Sequence, residues 1–333
     1  EKLLAAKGIQ VNQVNNNQTT PLYVACQKGH SKVVRMLLAV DGIQVNQATN
    51  KGWTPLNSAC FNGHSEVAKM LLAVDDIQVN QATNKGTTPL NIACQKGHSK
   101  VVKMLLAVDG IQVNQASNHE VTPLYMACQK GHLKVVNMLL AVEGIQVNQA
   151  NNKGTTPLSM ACQFGHLKVV NMLLAVDGIQ VNQADNKGFT PLIVACQEGH
   201  SKVVEMLIAV DGIQVNQANI EQVAPLFMAC ANGHSKVVKM LLAVDGIQVN
   251  QANSNGFTPF MMAVSNGHTA LVVLLLQRGI GHHNINEWFH VGKPSASGRI
   301  ALYKYAVLLP QQHQPLLDFH LCLLSTQNAL VPT

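Results

Sequence analysis

Cysteine and histidine recur four residues apart along most of the chain, as Cys26 with His30 and Cys94 with His98. On a continuous helix that spacing puts two ligands on one face, and thiolate and imidazole are ligands that suit zinc. A closed zinc site, however, takes four ligands, and a Gly stands immediately before each of these histidines and ends the helix that would align the pair. Helix-turn histidines and core thiols are the better account, and the His282-His283 tract near the end is read the same way. There is no Gly-rich phosphate loop, no Gly-x-Ser-x-Gly elbow and no carboxylate pair standing apart from the recurring pattern. A residue present in every copy of a pattern does not make a unique active site. The expectation is a non-enzyme without cofactor or metal.

Seven of the eight cysteines, Cys26, Cys60, Cys94, Cys128, Cys162, Cys196 and Cys230, fall at one fixed interval. Equivalent positions in stacked helices lie roughly 8 to 10 Å apart, beyond the ~7 Å within which two Cα positions can be bridged. They are read as reduced, buried thiols, which places the protein inside the cell, in cytoplasm or nucleus.

Hydrophobic residues make up 47% of the 333 residues and aromatics only 4%, so the core is built from Leu, Val, Ile, Met and Ala. The net charge is +6 with only 12% charged residues, a weak field for steering nucleic acid or a membrane surface. The apolar run Ala270 to Leu276 is far shorter than the ~20 residues of a membrane span. Neither membrane insertion nor nucleic-acid binding is expected, and the chain is expected to be monomeric.

What positions the cysteines and histidines is a repeat. Thr-Pro-Leu begins at Thr20, Thr54, Thr88, Thr122, Thr156 and Thr190, then becomes Ala224-Pro225-Leu226 and Thr258-Pro259-Phe260, always 34 residues apart. A fixed period of this size signals a stacked array. In "TPLNSACFNGH", Thr54 caps a helix and Pro55 sits at its first position, where no backbone donor is needed. Leu56, Ala59 and Cys60 recur at helical spacing and Gly63 ends the helix. Val67, Ala68, Met70 and Leu71 give a second short helix, antiparallel to the first. Asp-Gly-Ile-Gln-Val-Asn then breaks the period, and "QATNKG" reads as a protruding turn before the next Thr-Pro.

The unit resembles the ankyrin repeat, Asp-x-x-Gly-x-Thr-Pro-Leu-His-x-Ala-Ala-x-x-Gly-His followed by Val-Val, Leu-Leu and Gly-Ala-x-Val-Asn. The resemblance covers about residues 1–286. It implies an all-α solenoid of stacked antiparallel helix pairs, with hairpin tips projecting from one side and first helices lining a concave face. A partial repeat occupies 1–14, matched by Leu3 to Asn12, and the natural N-terminus is expected upstream of it. Full units then run 15–48, 49–82, 83–116, 117–150, 151–184, 185–218, 219–252 and 253–286. The tail, 287–333, is irregular, with 299–324 expected to form a degenerate helix pair that caps the apolar last helix at Ala270 to Gln277.

Three departures from the family pattern stand out. Each unit is one residue longer, with the addition in Ala-Val-Asp-Gly. The His after Thr-Pro-Leu is replaced by Tyr23, Asn57, Asn91, Tyr125, Ser159, Ile193, Phe227 and Met261, so its hydrogen bonds are lost or remade. Gln18, Glu120 and Gln222 stand where other tips have Gly, which predicts strained or opened turns. The resemblance also implies that hairpin residues such as Asn46, Asn80 and Asn114 are candidate substrates of an asparaginyl hydroxylase.

Positions that differ between copies are not all needed by the stack. Trp53, Phe189 and Phe257 precede Thr-Pro, Tyr23, Tyr125 and Phe227 follow Thr-Pro-Leu, and Phe61 and Phe164 lie beside Gly-His; Phe260 alone among the array's aromatics takes a core Leu position. Rigid aromatic side chains placed where the fold does not demand them are anchors for a protein partner. Trp53, Phe61, Phe164, Phe189, Phe257, Tyr23 and Tyr125 are therefore the candidate partner-binding residues, with Trp53 and Phe61 the densest pair. For Tyr23, Tyr125 and Phe227, packing between first helices is the competing reading. Lys32, Lys100, Lys134, Lys168, Lys202 and Lys236 open the second helices, against the helix dipole, and acids such as Asp41 and Asp109 near the helix ends balance them locally.

The function these features imply is a non-catalytic protein interaction scaffold. Other readings are a regulatory segment of a larger enzyme whose catalytic domain lies elsewhere, a weak nucleic-acid binder, or an elastic spacer.

Overall fold

The computed structural model describes residues 9–280, which fall into two compact units, one running to Gln180 and the other starting at Val181. The first holds the helix pairs α1 (Pro21–Lys28) with α2 (Ser31–Leu38), α3 (Pro55–Asn62) with α4 (Ser65–Leu72), α5 (Pro89–Lys96) with α6 (Ser99–Leu106), α7 (Pro123–Lys130) with α8 (Leu133–Leu140), and α9 (Pro157–Gln163) with α10 (Leu167–Leu174). The second holds α11 (Pro191–Glu198) with α12 (Ser201–Ile208), α13 (Pro225–Ala231) with α14 (Ser235–Leu241), and α15 (Pro259–Ser265) with α16 (Thr269–Gln277). No strand occurs among the described residues. Within each unit the first helix of one pair packs on the first helix of the next, and second helices pack likewise from α2 to α10 and between α12 and α14.

These helices are about two turns long, too short to persist alone, so their ends and their packing must hold them. At the front, the Thr54 hydroxyl accepts from the Asn57 N–H at 3.1 Å, and the Asn57 side-chain oxygen accepts from the Thr54 N–H at 2.9 Å. Threonine plays this role at every first helix except α13, where Ala224 offers no side-chain acceptor. At the back of α3, Gly63 turns left-handed at φ 71°. Between the ends, Leu56, Ala59 and Cys60 are buried, and the small Ala and Cys let first helices approach closely.

Three rows of hydrogen bonds stitch neighbouring repeats. In the first, His64 Nε2 donates to the Gln27 carbonyl at 3.1 Å, and a Cβ on Gly29 would lie 2.6 Å from the His64 ring. Glycine is thus required twice there, by φ 71° and by the imidazole of the next repeat. His98, His132 and His166 repeat the bond in the first unit, and His234 and His268 in the second. In the second row, Asn46 Nδ2 donates to the Asp76 carbonyl at 2.7 Å while its Oδ1 accepts from the Gln78 N–H at 3.0 Å. Asn80 and Asn114 do the same, as does Asn216 in the second unit, so both ends of each hairpin amide are engaged. In the third row tip backbones join, as in the Asn84 N–H to the Lys51 carbonyl at 3.2 Å.

The tip is a closed turn: the Thr49 N–H donates to the Trp53 carbonyl at 3.0 Å and the Gly52 N–H to the Thr49 carbonyl at 2.9 Å. Gln18, Glu120 and Gln222 keep this turn closed, at 2.9, 2.8 and 2.9 Å, by adopting φ of 58°, 58° and 60°. These tips are strained rather than opened.

The missing family histidine is compensated unevenly. Asn91 closes a capping box with Thr88 and also donates to the Val121 carbonyl at 3.2 Å, whereas the equivalent Asn57 Nδ2 is buried without a partner among the described residues. Tyr125 accepts from Asn151 at 3.0 Å, and Ile193 and Phe227 fill the space with buried hydrocarbon.

The seven repeated cysteines are buried and none is joined in a disulfide. Burial pushes the Cys26 thiol up to about 12 and raises those of Cys60, Cys94, Cys128, Cys162 and Cys230 as well. In α16, Leu271, Val272, Leu275 and Leu276 are buried while Val273 and Leu274 are half-buried. The helix pair expected over it at 299–324, the His282-His283 tract and the start of the partial repeat lie outside the described residues.

Three outcomes follow from this packing. Leu90, 1% exposed, should cost about 2 to 5 kcal/mol when cut to Ala, read as a lowered urea midpoint. Ala224→Thr should add about 1 kcal/mol in the same assay, because it restores a cap that the other first helices have. The thiols carry folded pKa values above their ordinary 9.0, so their contribution is complete below about pH 9 and is lost as pH rises toward the folded value of about 12 at Cys26. Melting temperature should therefore hold up to about pH 9 and fall as pH rises from there toward about 12; a flat profile would show that these thiols are solvated.

Candidate partner-binding groove

A groove of about 600 Å³ opens between the first two tips and the edges of α1 and α3. Its tip side carries Asn15, Asn17, Thr19, Thr49, Asn50, Lys51 and Trp53, and its helix side Tyr23, Val24, Gln27, Ser58, Phe61 and Asn62. The sequence builds this side of the repeat locally. The Trp53 N–H donates to the Thr49 hydroxyl at 3.2 Å and its carbonyl accepts from the Thr49 N–H at 3.0 Å, which fixes the residue at the turn exit. Phe61 sits in the last turn of α3, held from behind by His98 Nε2 on its carbonyl at 3.1 Å.

The two rings meet edge to face, with centroids 5.5 Å apart and planes at 78°, the arrangement that the ring quadrupoles favour. The Lys96 ammonium lies 4.1 Å from the centroid of Phe61, a cation on a ring face. Phe61 is 37% exposed and Trp53 half-buried, so the pair offers an ordered apolar ledge to anything entering the groove. Around it are amides and hydroxyls, and no carboxylate is among the lining residues.

The groove thus gathers Trp53, Phe61 and Tyr23 from the expected residues. Phe164 is 49% exposed beside the α9 turn, its ring stacked on His166 at 6.1 Å, apart from that cluster. Phe189 and Phe257 belong to the second unit, where the Asp185 and Asn253 side chains accept from their N–H groups at 2.8 and 2.9 Å. Both are half-buried, as is Trp53, so the tip aromatics lean on the repeat rather than standing clear. Tyr125 differs most from a contact residue. It is 5% exposed, packed with Val121, Met160 and Met126, and burial raises its phenol pKa. Phe227 is also 5% exposed. Tyr125 and Phe227 thus sit as the packing reading describes, while Tyr23 keeps an open face in the groove.

Residues that composition and repetition did not single out include Lys51, Lys96 and the amide lining, all common letters of the repeat. Val24, 41% exposed in the groove wall, gave no signal, because other units also carry Val or Met there. Ile220, 68% exposed at a tip of the second unit, did give one: it stands where Asn50, Asn84 and Asn118 stand in other units.

The Cys and His pairs do not converge on a metal geometry, since each cysteine is buried and the Nε2 of His64, like that of His98, His132, His166, His234 and His268, is spent on a carbonyl of the preceding repeat. No group of three or more His, Cys, Asp or Glu suited to a metal ion occurs among the described residues, and no described helix is long and apolar enough to cross a membrane.

No curated protein matches the chain. A family model for ankyrin repeats, built of three copies, matches residues 1–83, 73–151, 140–219 and 212–287. Members of that family are in general protein-binding modules and are typically non-catalytic. With matches over most of its length and helix pairs stacked in series, the chain belongs to the ankyrin repeat family.

Proposed function

We propose that this chain is a non-catalytic scaffold that binds another protein through the groove at its first two full repeats. The observation that carries the reading is the Trp53 and Phe61 pair, two large rings set edge to face at 5.5 Å on positions that most other repeats fill with Thr, Val, Gln, Ala or Ser. Burying such a ledge against a partner gains more free energy than its own packing returns, since residues of this kind dominate interface energetics. The column of reduced, buried thiols favours an intracellular setting for the interaction.

The test is capture from the source cell's lysate by the intact chain and by a Trp53→Ala, Phe61→Ala double variant. Loss of the ring pair should cost about 1 kcal/mol of stability and leave circular dichroism unchanged. A captured protein should bind the double variant at least about tenfold more weakly. Equal capture by both chains would remove the groove from consideration.

A further inference from the structure

We propose that the groove takes an acidic, extended polypeptide segment, its carboxylates on Lys51 and Lys96 and an apolar side chain on the Trp53 and Phe61 ledge. This rests on the protein-binding reading of the groove and adds the chemistry of its occupant.

Charge is sorted within the first unit. Its tips and first-helix ends carry Lys28, Lys51, Lys85, Lys96, Lys130 and Lys153, all exposed, against the single acid Glu120. The unit's other described acids lie elsewhere: Glu66 in α4, and Asp41, Asp75, Asp76, Asp109, Glu143 and Asp177 in the turns that follow the second helices. The repeat itself does not impose this sign, because the same surface of the second unit carries Asp185, Glu198 and Glu221 against Lys187. The excess of lysine is therefore a property of the surface that includes the groove. Lys51 lines the tip side and Lys96 reaches over Phe61 from the next repeat, so two ammonium groups flank the aromatic ledge.

The rest of the lining selects a peptide among anionic polymers. Asn15, Asn17, Gln27, Asn50 and Asn62 offer both donors and acceptors, which match the alternating N–H and C=O groups of an extended backbone. Single-stranded nucleic acid would instead need open ring faces on which bases stack. Here the Lys96 ammonium already covers a face of Phe61 at 4.1 Å, and Trp53 meets the same ring on edge. A carboxylate brought to Lys96 joins a cation that the ring already holds in place, so less side-chain freedom remains to be lost on binding.

A displayed library of random short peptides, panned on the intact chain, tests this directly. Recovered peptides should be rich in Asp and Glu beside an apolar residue, and labelled synthetic copies should bind less well as salt rises. Lys51→Glu and Lys96→Glu should each weaken them roughly fivefold, and Lys96→Arg should restore binding. Neutral or basic peptides that depend on Trp53 and Phe61 would overturn the acidic occupant while leaving the groove in place. Peptides indifferent to Trp53→Ala with Phe61→Ala would sink the groove reading itself. Recovery of no peptide, or displacement of the recovered peptides by an oligothymidine strand that binds more tightly, would also overturn the inference.

Discussion

The contact on which the array depends is that of an imidazole with a glycine. His64, His98, His132, His166, His234 and His268 each lay the ring against the glycine that follows the first helix of the preceding repeat and donate Nε2–H to a carbonyl two residues before that glycine, as His64 does to Gln27 beside Gly29. The left-handed glycine ends one helix, makes room for the ring, and exposes the carbonyl that receives the proton. Helix length, repeat spacing and register are therefore set at one place. The Asn amides at the hairpins repeat the arrangement at the opposite end of the pair, with one donor and one acceptor shared across each junction they join. Short helices that would melt alone are clamped at both ends by their neighbours.

This division leaves other positions free to vary. The residues before Thr-Pro, after Thr-Pro-Leu and before Gly-His touch neither row of clamps with their side chains, except where an Asn or Tyr finds a use or where Phe164 stacks on His166. Trp53 and Phe61 occur at such places, on a surface that the stack orders without depending on it. Binding chemistry is thereby uncoupled from folding chemistry, and one backbone can present a basic face in one unit and an acidic one in the other.

Most of the fold was legible because its signals are local: the Thr cap, the Pro at the first position, the Gly stop and the apolar spacing all act within one helix. What escaped the sequence acts between repeats. The histidine is read from sequence as a helix-turn residue, but the carbonyl that it bonds lies 37 residues back in the chain and leaves no local signal. Tyr125 and Tyr23 occupy equivalent positions, yet one is sealed by Met160 and bonded to Asn151 while the other faces the groove, an outcome decided by their neighbours in adjoining repeats. The candidate site was legible in part for the same reason. Aromatic excess at variable positions pointed to Trp53 and Phe61, but Lys96 becomes part of the site only because the stack brings it over Phe61.

The clamps also bear on how such a chain grows. An inserted repeat brings a histidine and an asparagine for one neighbour, and a glycine, a carbonyl and an N–H for the other, so it fills both of the junctions it creates. Lengthening by duplication leaves no clamping histidine, hairpin asparagine or turn glycine of the inserted repeat without its partner, which makes the number of repeats a quantity that selection can adjust one unit at a time.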